Sequence, residues 1–183
     1  GTGEMMFSAT KPWEEHIESI IFVIIENGVT SIGSSAFRDC SGLTSITIPN
    51  SVTSIVSFAF YECSSLKDVV LPERLTSLER AAFCYCKSLE SIVIPGSVAT
   101  IGSEAFGGCD KLSSVTISEG VKTICDCAFY DCPSLTNLTI PYSVTTFEGT
   151  DIFGGTTSLG KVNVSCNWEK EKLYNFSYLN IAP

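Results

Sequence analysis

Val29-Thr-Ser-Ile-Gly-Ser-Ser-Ala-Phe-Arg-Asp-Cys-Ser-Gly-Leu43 and Val121-Lys-Thr-Ile-Cys-Asp-Cys-Ala-Phe-Tyr-Asp-Cys-Pro-Ser-Leu135 are the two stretches that decide the fold. Both carry Val, Ile, Ala-Phe, Cys and Leu at the same offsets, and the same frame recurs three times between them. Phenylalanine stands at Phe37, Phe60, Phe83, Phe106 and Phe129, each 23 residues after the last. An Ala precedes each, from Ala36 to Ala128. A Cys follows three residues on, at Cys40, Cys63, Cys86, Cys109 and Cys132, and a Leu six residues on, from Leu43 to Leu135. Self-similarity at a fixed period of 20–50 residues is the signature of a stacked repeat architecture. A sixth, degraded unit runs from Val144 through Phe147, Phe153, Leu159, Val162 and Val164. It has one extra residue near Asp151, and Thr156 stands in the place of Cys. Upstream, Ile20, Val23 and Ile25 match the closing half of a unit.

The unit predicts its own folding. Its Leu-x-x-Ile-x-Ile segment alternates and reads as a short strand with one buried face. Pro49, Pro72, Pro95 and Pro141 end that strand, because proline cannot donate to a ladder. The Val-Thr-Ser-Ile stretch is expected to be a second short extended segment, and Ala-Phe-x-x-Cys a compact helical turn that sends the chain back. No unit can bury its own apolar residues, so units must stack, with equivalent strands parallel at about 4.8 Å per coil. The expected fold is therefore a β-rich solenoid with one parallel strand per 23-residue repeat and short helical turns on the other side. Residues 1–19 are read as an N-terminal flank or partial cap, 20–164 as about six and a half repeat coils, and 165–183 as a C-terminal cap.

Composition narrows the function classes. Of 183 residues, 44% are hydrophobic and only 17% charged, and the formal net charge is −9. That balance argues against a protein that tracks phosphates along nucleic acid or adheres to an anionic membrane. No apolar run reaches the roughly 18–20 residues that span a bilayer. Surface polarity comes largely from 25 Ser and 17 Thr.

With its units laid out, the chain resembles the BspA-type leucine-rich repeats, also called the Treponema pallidum class, over residues 20–164. The flank Gly1-Thr-Gly-Glu-Met5, with Pro12-Trp13 and Ile25-Glu-Asn-Gly-Val29, resembles the lead-in of such domains in gut Firmicutes. The resemblance implies a leucine-rich-repeat horseshoe and an extracellular or wall-attached protein of a host-associated bacterium. It also implies adhesion or partner binding, with no catalytic residue to carry over. Because Gly-Thr-Gly follows a further strand in those relatives, the chain is expected to be a piece of a longer surface protein.

The nine cysteines allow a disulfide framework, as in many secreted chains. They also allow a ladder of buried thiols, since Cys behaves as a small hydrophobe. The regular column Cys40, Cys63, Cys86, Cys109 and Cys132 favours the ladder. Cys84, Cys125, Cys127 and Cys166 fall outside it, and Cys84, at the position of Arg38 and Tyr61, is expected to be exposed. Cys125-x-Cys127 lacks zinc-site spacing, so neither metal nor cofactor is expected. His16, the only imidazole, has no nucleophile in fixed relation to it. Asp39, Glu62 and Asp131 share one column and read as a solvated edge.

The candidate binding surface is the outward side of the Leu-x-x-Ile-x-Ile strands. Coil by coil it carries Phe22 and Ile24, Ser45 and Thr47, Asp68 and Val70, Ser91 and Val93, Ser114 and Thr116, Asn137 and Thr139, then Lys161 and Asn163. This face is small, nearly uncharged and β-branched, suited to flat packing against a protein or glycan, but short of the aromatic and Arg anchors of interface hot spots. Phe22 and Ile24 are the exception, as an apolar patch or as a contact for the N-terminal cap. A second surface gathers Phe58, Tyr61, Tyr85 and Tyr130 on the turn side, where the rings could equally shield the next coil. The expected function is non-enzymatic adhesion or binding, with a rigid spacer presenting other domains as the alternative. Exposed end strands would also allow edge-to-edge dimers.

Overall fold

A 23-residue period becomes a solenoid when each apolar position lands on its own copy one coil away. The computed structural model of the chain describes residues 3–4, 11–159 and 161–164. Along one side, the segments Gly3–Glu4, Val29–Ile32, Ser54–Ile55, Ser77–Leu78, Thr100–Ile101, Thr123–Ile124 and Thr146–Phe147 form a seven-stranded, all-parallel sheet. These are the second extended segments of the units, and they make the longer sheet. The Leu-x-x-Ile-x-Ile strands make the other. There, Phe22–Ile24 pairs with Ser45–Thr47, while Ser91–Ile94, Ser114–Ile117, Asn137–Ile140 and Lys161–Val164 form a four-stranded sheet.

Register follows the repeat. Ser31 pairs with Ser54, Ser54 with Ser77 and Thr100 with Thr123, each across 23 residues. The extra residue near Asp151 lies after Phe147, so Thr123 still pairs with Thr146. The N-terminal flank joins the stack as well. Gly3 pairs with Val29 and Glu4 with Ser31, with a register shift between them. Trp13, at the start of the 3-10 helix Glu14–Ser19, lies parallel to Phe37 at 5.5 Å and donates its indole N–H to the Ala36 carbonyl at 3.0 Å.

The core is a set of columns. In one coil, Val52, Ile55, Ala59, Phe60, Cys63, Leu66, Val69 and Leu71 are all buried. The Phe column runs without a gap from Trp13 through Phe37, Phe60, Phe83, Phe106, Phe129 and Phe153. Its rings are nearly parallel, with centroids 4.9–5.7 Å apart, close to one strand spacing. Beside it, each Cys thiol donates across the stack to a Phe carbonyl. Cys63 reaches Phe37 O at 3.1 Å, Cys86 reaches Phe60 O at 3.3 Å, Cys109 reaches Phe83 O at 3.3 Å and Cys132 reaches Phe106 O at 3.2 Å. Thr156 continues the series with its hydroxyl, donating to Phe129 O at 2.9 Å. The substitution in the degraded unit therefore keeps the donor and changes only the atom.

The Ala-Phe-x-x-Cys segment is a run of turns bonded i to i−3. Ala36 N donates to Gly33 O, Arg38 N to Ser35 O and Cys40 N to Phe37 O. The alternate residues reach across to the next coil: Ser35 N to Ser57 O, Phe37 N to Ala59 O and Asp39 N to Tyr61 O. Two residues of each such run lie in the left-handed region. One column is Ser35, Phe58, Ala81, Glu104 and Cys127, and the other is Asp39, Glu62, Tyr85, Gly108 and Asp131. Gly108 suits the second column by having no side chain, and a Cβ there would strike the Tyr85 ring.

Two outcomes test this packing. Phe83→Ala removes a ring stacked on both faces and is expected to cost about 3–5 kcal/mol, whereas Tyr142→Ser, at an exposed position, stays within about 0.5 kcal/mol. Urea unfolding followed by circular dichroism reads both. Thr156→Val, which keeps shape and loses the donor, is expected to cost about 1 kcal/mol or more, while Thr156→Cys restores the thiol and stays near wild type. Equal midpoints for those two variants would show the bond to Phe129 to be immaterial.

Candidate functional site

The strand alternation sends the candidate residues to one face. Phe22 pairs with Ser45 and Ile24 with Thr47. Ser91 pairs with Ser114, Ser114 with Asn137 and Asn137 with Lys161, while Val93, Thr116, Thr139 and Asn163 follow in the parallel column. Phe22, Ile24, Thr47, Asp68, Val70, Ser91, Val93, Thr116, Asn137 and Asn163 are exposed, and Ser45, Ser114 and Thr139 are half-buried. The structure thus brings these residues together as two adjacent columns on the open side of the strands. Phe22 and Ile24 remain 54% and 64% exposed, so the N-terminal flank does not cover them. They border an apolar hollow of about 460 Å³ at the end of the stack, together with Trp13, Ile20 and Val29.

One feature of this face is invisible in the sequence. The segment Asp68–Leu71 keeps its alternation, with Val69 and Leu71 buried and Val70 outward. Its backbone is nevertheless unpaired apart from a single bridge between Asp68 and Ser45. The sheet is therefore interrupted at the third coil, and a hollow of about 260 Å³ opens between Asp68–Leu71 and Ser91–Val93. Val70 and Val93, 81% and 59% exposed, stand at its rim. Just ahead of the strands, much of the hydroxyl inventory is structural. Thr44 donates to Ile21 O at 3.0 Å, Ser113 to Glu90 O at 3.1 Å and Thr136 to Ser113 O at 3.3 Å, each tying one coil to the one before.

The turn side holds more than the four aromatics noted in the sequence. Arg38 lies over the Tyr61 ring at 4.7 Å and also 5.9 Å from the Phe58 centroid, where Arg80 approaches at the same distance. Tyr61 meets both Phe58 and Tyr85 edge-on, at 5.7 and 5.6 Å. Only the three-dimensional stack shows these arginines to be neighbours, since each meets a ring from the adjacent coil.

Catalytic chemistry has no assembled site here. Among the described residues no group of three His, Cys, Asp or Glu side chains could hold a metal ion. His16 is exposed on the 3-10 helix. All eight described cysteines are free, and all but Cys127 are buried; Cys166 lies outside the described residues. Cys84 corrects an expectation, because it is buried rather than exposed. Its sulfur sits 3.6 Å from where a Gly107 Cβ would be, so the small residue of the next coil makes room for it. Asp39, Glu62 and Asp131 are exposed on the turn edge, as their shared column implied. No helix among the described residues is long and apolar enough to cross a membrane.

The architecture has relatives. The family model for the BspA type leucine rich repeat region matches in six copies, over residues 15–96 and 76–182. The chain belongs to the BspA-type leucine-rich repeat family. Among solved structures, a leucine rich cell surface protein from Faecalibacterium prausnitzii superposes with a TM-score of 0.79 at 28% identity, over 90% of this chain and 43% of that one. The leucine rich repeat protein of T. pallidum gives a TM-score of 0.73 at 32% identity, over 85% of this chain and 71% of its own. The pneumococcal vaccine antigen PcpA gives 0.66 at 30% identity, over 90% and 44%. The chain thus spans less than half the length of the F. prausnitzii protein and of PcpA. No curated protein matches it.

Burial also sets the chemistry of the thiols. Loss of hydration pushes Cys63, Cys86 and Cys109 well above the ordinary thiol value of 9.0, and Cys132 up to about 12. The folded chain thus keeps these protons where the unfolded chain releases them. Stability is then fully present below pH 9 and falls as pH rises above it, by about 1 kcal/mol per fully buried thiol at pH 10. Urea midpoints at pH 7, 9 and 10 check the sign; a midpoint unchanged at pH 10 would contradict it. Under native conditions at pH 8 the ladder thiols are expected to resist a disulfide-exchange reagent, and to react once guanidinium unfolds the chain.

Proposed function

We propose that this chain is a non-enzymatic binding module of a bacterial surface protein, and that it engages a protein or glycan partner through the open face of the Leu-x-x-Ile-x-Ile strands. The observation that carries this reading is the interruption at the third coil. Unpaired backbone, a hollow of about 260 Å³ and two exposed valines occur together in the middle of an otherwise flat, small-residue face. An exposed apolar pair beside unpaired N–H and C=O groups offers a partner both apolar contact and directional bonding. Membership of the BspA-type repeats and likeness to a protein named as a cell surface protein support a place outside the cell. The absence of a convergent acid–base or nucleophile group among the described residues accords with a non-enzymatic role.

The spacer reading has its own support. Two relatives are more than twice as long as the segment matched here, so a stack of this kind can be one part of a larger molecule. Binding by the isolated chain separates the two readings. A panel of extracellular-matrix proteins and glycans is screened with wild type, Thr47→Arg, Thr116→Arg and the double variant Val70→Ser with Val93→Ser. A sheet-face ligand is expected to lose at least about tenfold in affinity with Thr116→Arg and with the valine pair. Partners that bind every variant alike would overturn the assignment of this face.

A further inference from the structure

The repeat explains the Phe column, but it does not explain the aromatic residues at two left-handed positions. In their columns, Phe58 (φ 61°) aligns with Ser35, Ala81, Glu104 and Cys127, while Tyr85 (φ 59°) aligns with Asp39, Glu62, Gly108 and Asp131. Bulky side chains are disfavoured there, and small or acidic residues serve the same turns one coil away. Backbone strain of this kind concentrates at functional sites. The result is a continuous surface of Phe58, Tyr61 and Tyr85 on the turn side, remote in the coil from the open sheet face.

Two facts say what would cover it. Phe58 and Tyr61 already carry guanidinium groups, from Arg38 and Arg80, so these rings are used here as cation platforms. Tyr85 is 40% exposed and, among the described residues, no cation lies over its ring. Tyr85 also forms a wall of a neighbouring groove of about 550 Å³, whose other lining includes Glu18, Asp39 and Glu62, with Lys87 as its single cationic group. Groove and ring together present a π face and an excess of negative charge to the same visitor. Arg38 is already bonded to Asp39 at 3.4 Å and Arg80 to Glu104 at 2.8 Å, so neither arginine is left to attract an anion.

We propose that the turn-side surface of Tyr61 and Tyr85, with the adjoining groove of Asp39 and Glu62, docks a basic peptide segment. An Arg or Lys of the partner lies over the Tyr85 ring and between the groove carboxylates, and a neighbouring apolar side chain rests on Tyr61 and Phe58. The site is separate from the sheet face, so the chain carries two binding surfaces on different sides of the stack.

The test uses the full 183-residue chain and a fluorescein-labelled heptapeptide, Gly-Arg-Leu-Arg-Leu-Arg-Gly in sequence, read by anisotropy at 50 and 300 mM salt. Its counterpart with Glu in place of Arg is the charge control. The basic peptide is expected to bind with salt-sensitive affinity, and the acidic one not to bind. Tyr85→Asn keeps a residue suited to the left-handed turn, so the fold is retained, and it should weaken binding about three- to tenfold. Glu62→Gln should weaken it by a similar factor and flatten the salt dependence. Thr116→Arg, on the sheet face, should shift it by less than about twofold. No binding to wild type would overturn the proposal. Binding unaffected by Tyr85→Asn would also overturn it, by showing only general attraction to a chain of net charge −9. Loss on Thr116→Arg alone would assign the peptide to the sheet face instead. Neutral glycans that bind in a Tyr85-dependent way while the peptide does not would overturn the choice of partner.

Discussion

The structure depends on translation of one bonded pair along a line. Each coil places a Phe ring on the ring of the coil before, and a thiol or hydroxyl beside it donates to that earlier coil's Phe carbonyl. Ring separations of 4.9–5.7 Å match the spacing of adjacent strands, so aromatic stacking and the parallel ladder impose the same rise. The two constraints reinforce each other, and neither tolerates an insertion between them. That is why five units follow without a single length change. The one extra residue of the sixth unit falls in the stretch around Asp151, after the Thr146–Phe147 strand is already paired.

This economy leaves the surface free. Because every apolar column points inward, the three sides of the stack differ in what they show outside. The longer sheet shows short two- to four-residue strands. The open sheet face shows small β-branched residues with a break at the third coil, and the turn side shows charged and aromatic groups raised on left-handed residues. Hydroxyls that look like surface solubility in a composition table are partly ties between coils, as with Thr53 donating to Thr30 O and Thr76 to Thr53 O. The net acidity of the chain therefore gathers its functional meaning where it is least neutralised, in the groove of Glu18, Asp39 and Glu62.

Legibility in the sequence divided along the same line. The inward columns were readable because burial acts on residue type at a fixed offset: Phe60, Cys63 and Leu66 are apolar in the sequence and fully buried in the fold. The outward columns were readable for the same reason, by alternation, and Thr47, Val93 and Thr116 stand exposed as the strand period requires. Cys84 was misread because its column neighbours Arg38 and Tyr61 face solvent, while Gly107, one coil further on, leaves space beneath it. Trp13 gave no repeat signal, since it meets the Phe column 24 residues before Phe37 from inside a 3-10 helix.

What the amino-acid sequence by itself determined is the architecture: a 23-residue unit with apolar residues at fixed offsets has no way to bury them except by stacking. The tertiary structure alone decided which surfaces became distinctive. The loss of pairing at Asp68–Leu71 occurs in a unit whose pattern is regular, because pairing is a relation between two coils and not a property of one. The same holds for Arg38 over Tyr61 and for the groove beside Tyr85. Their partners lie on different coils, so their proximity depends on the rise and twist of the stack, which no single unit encodes.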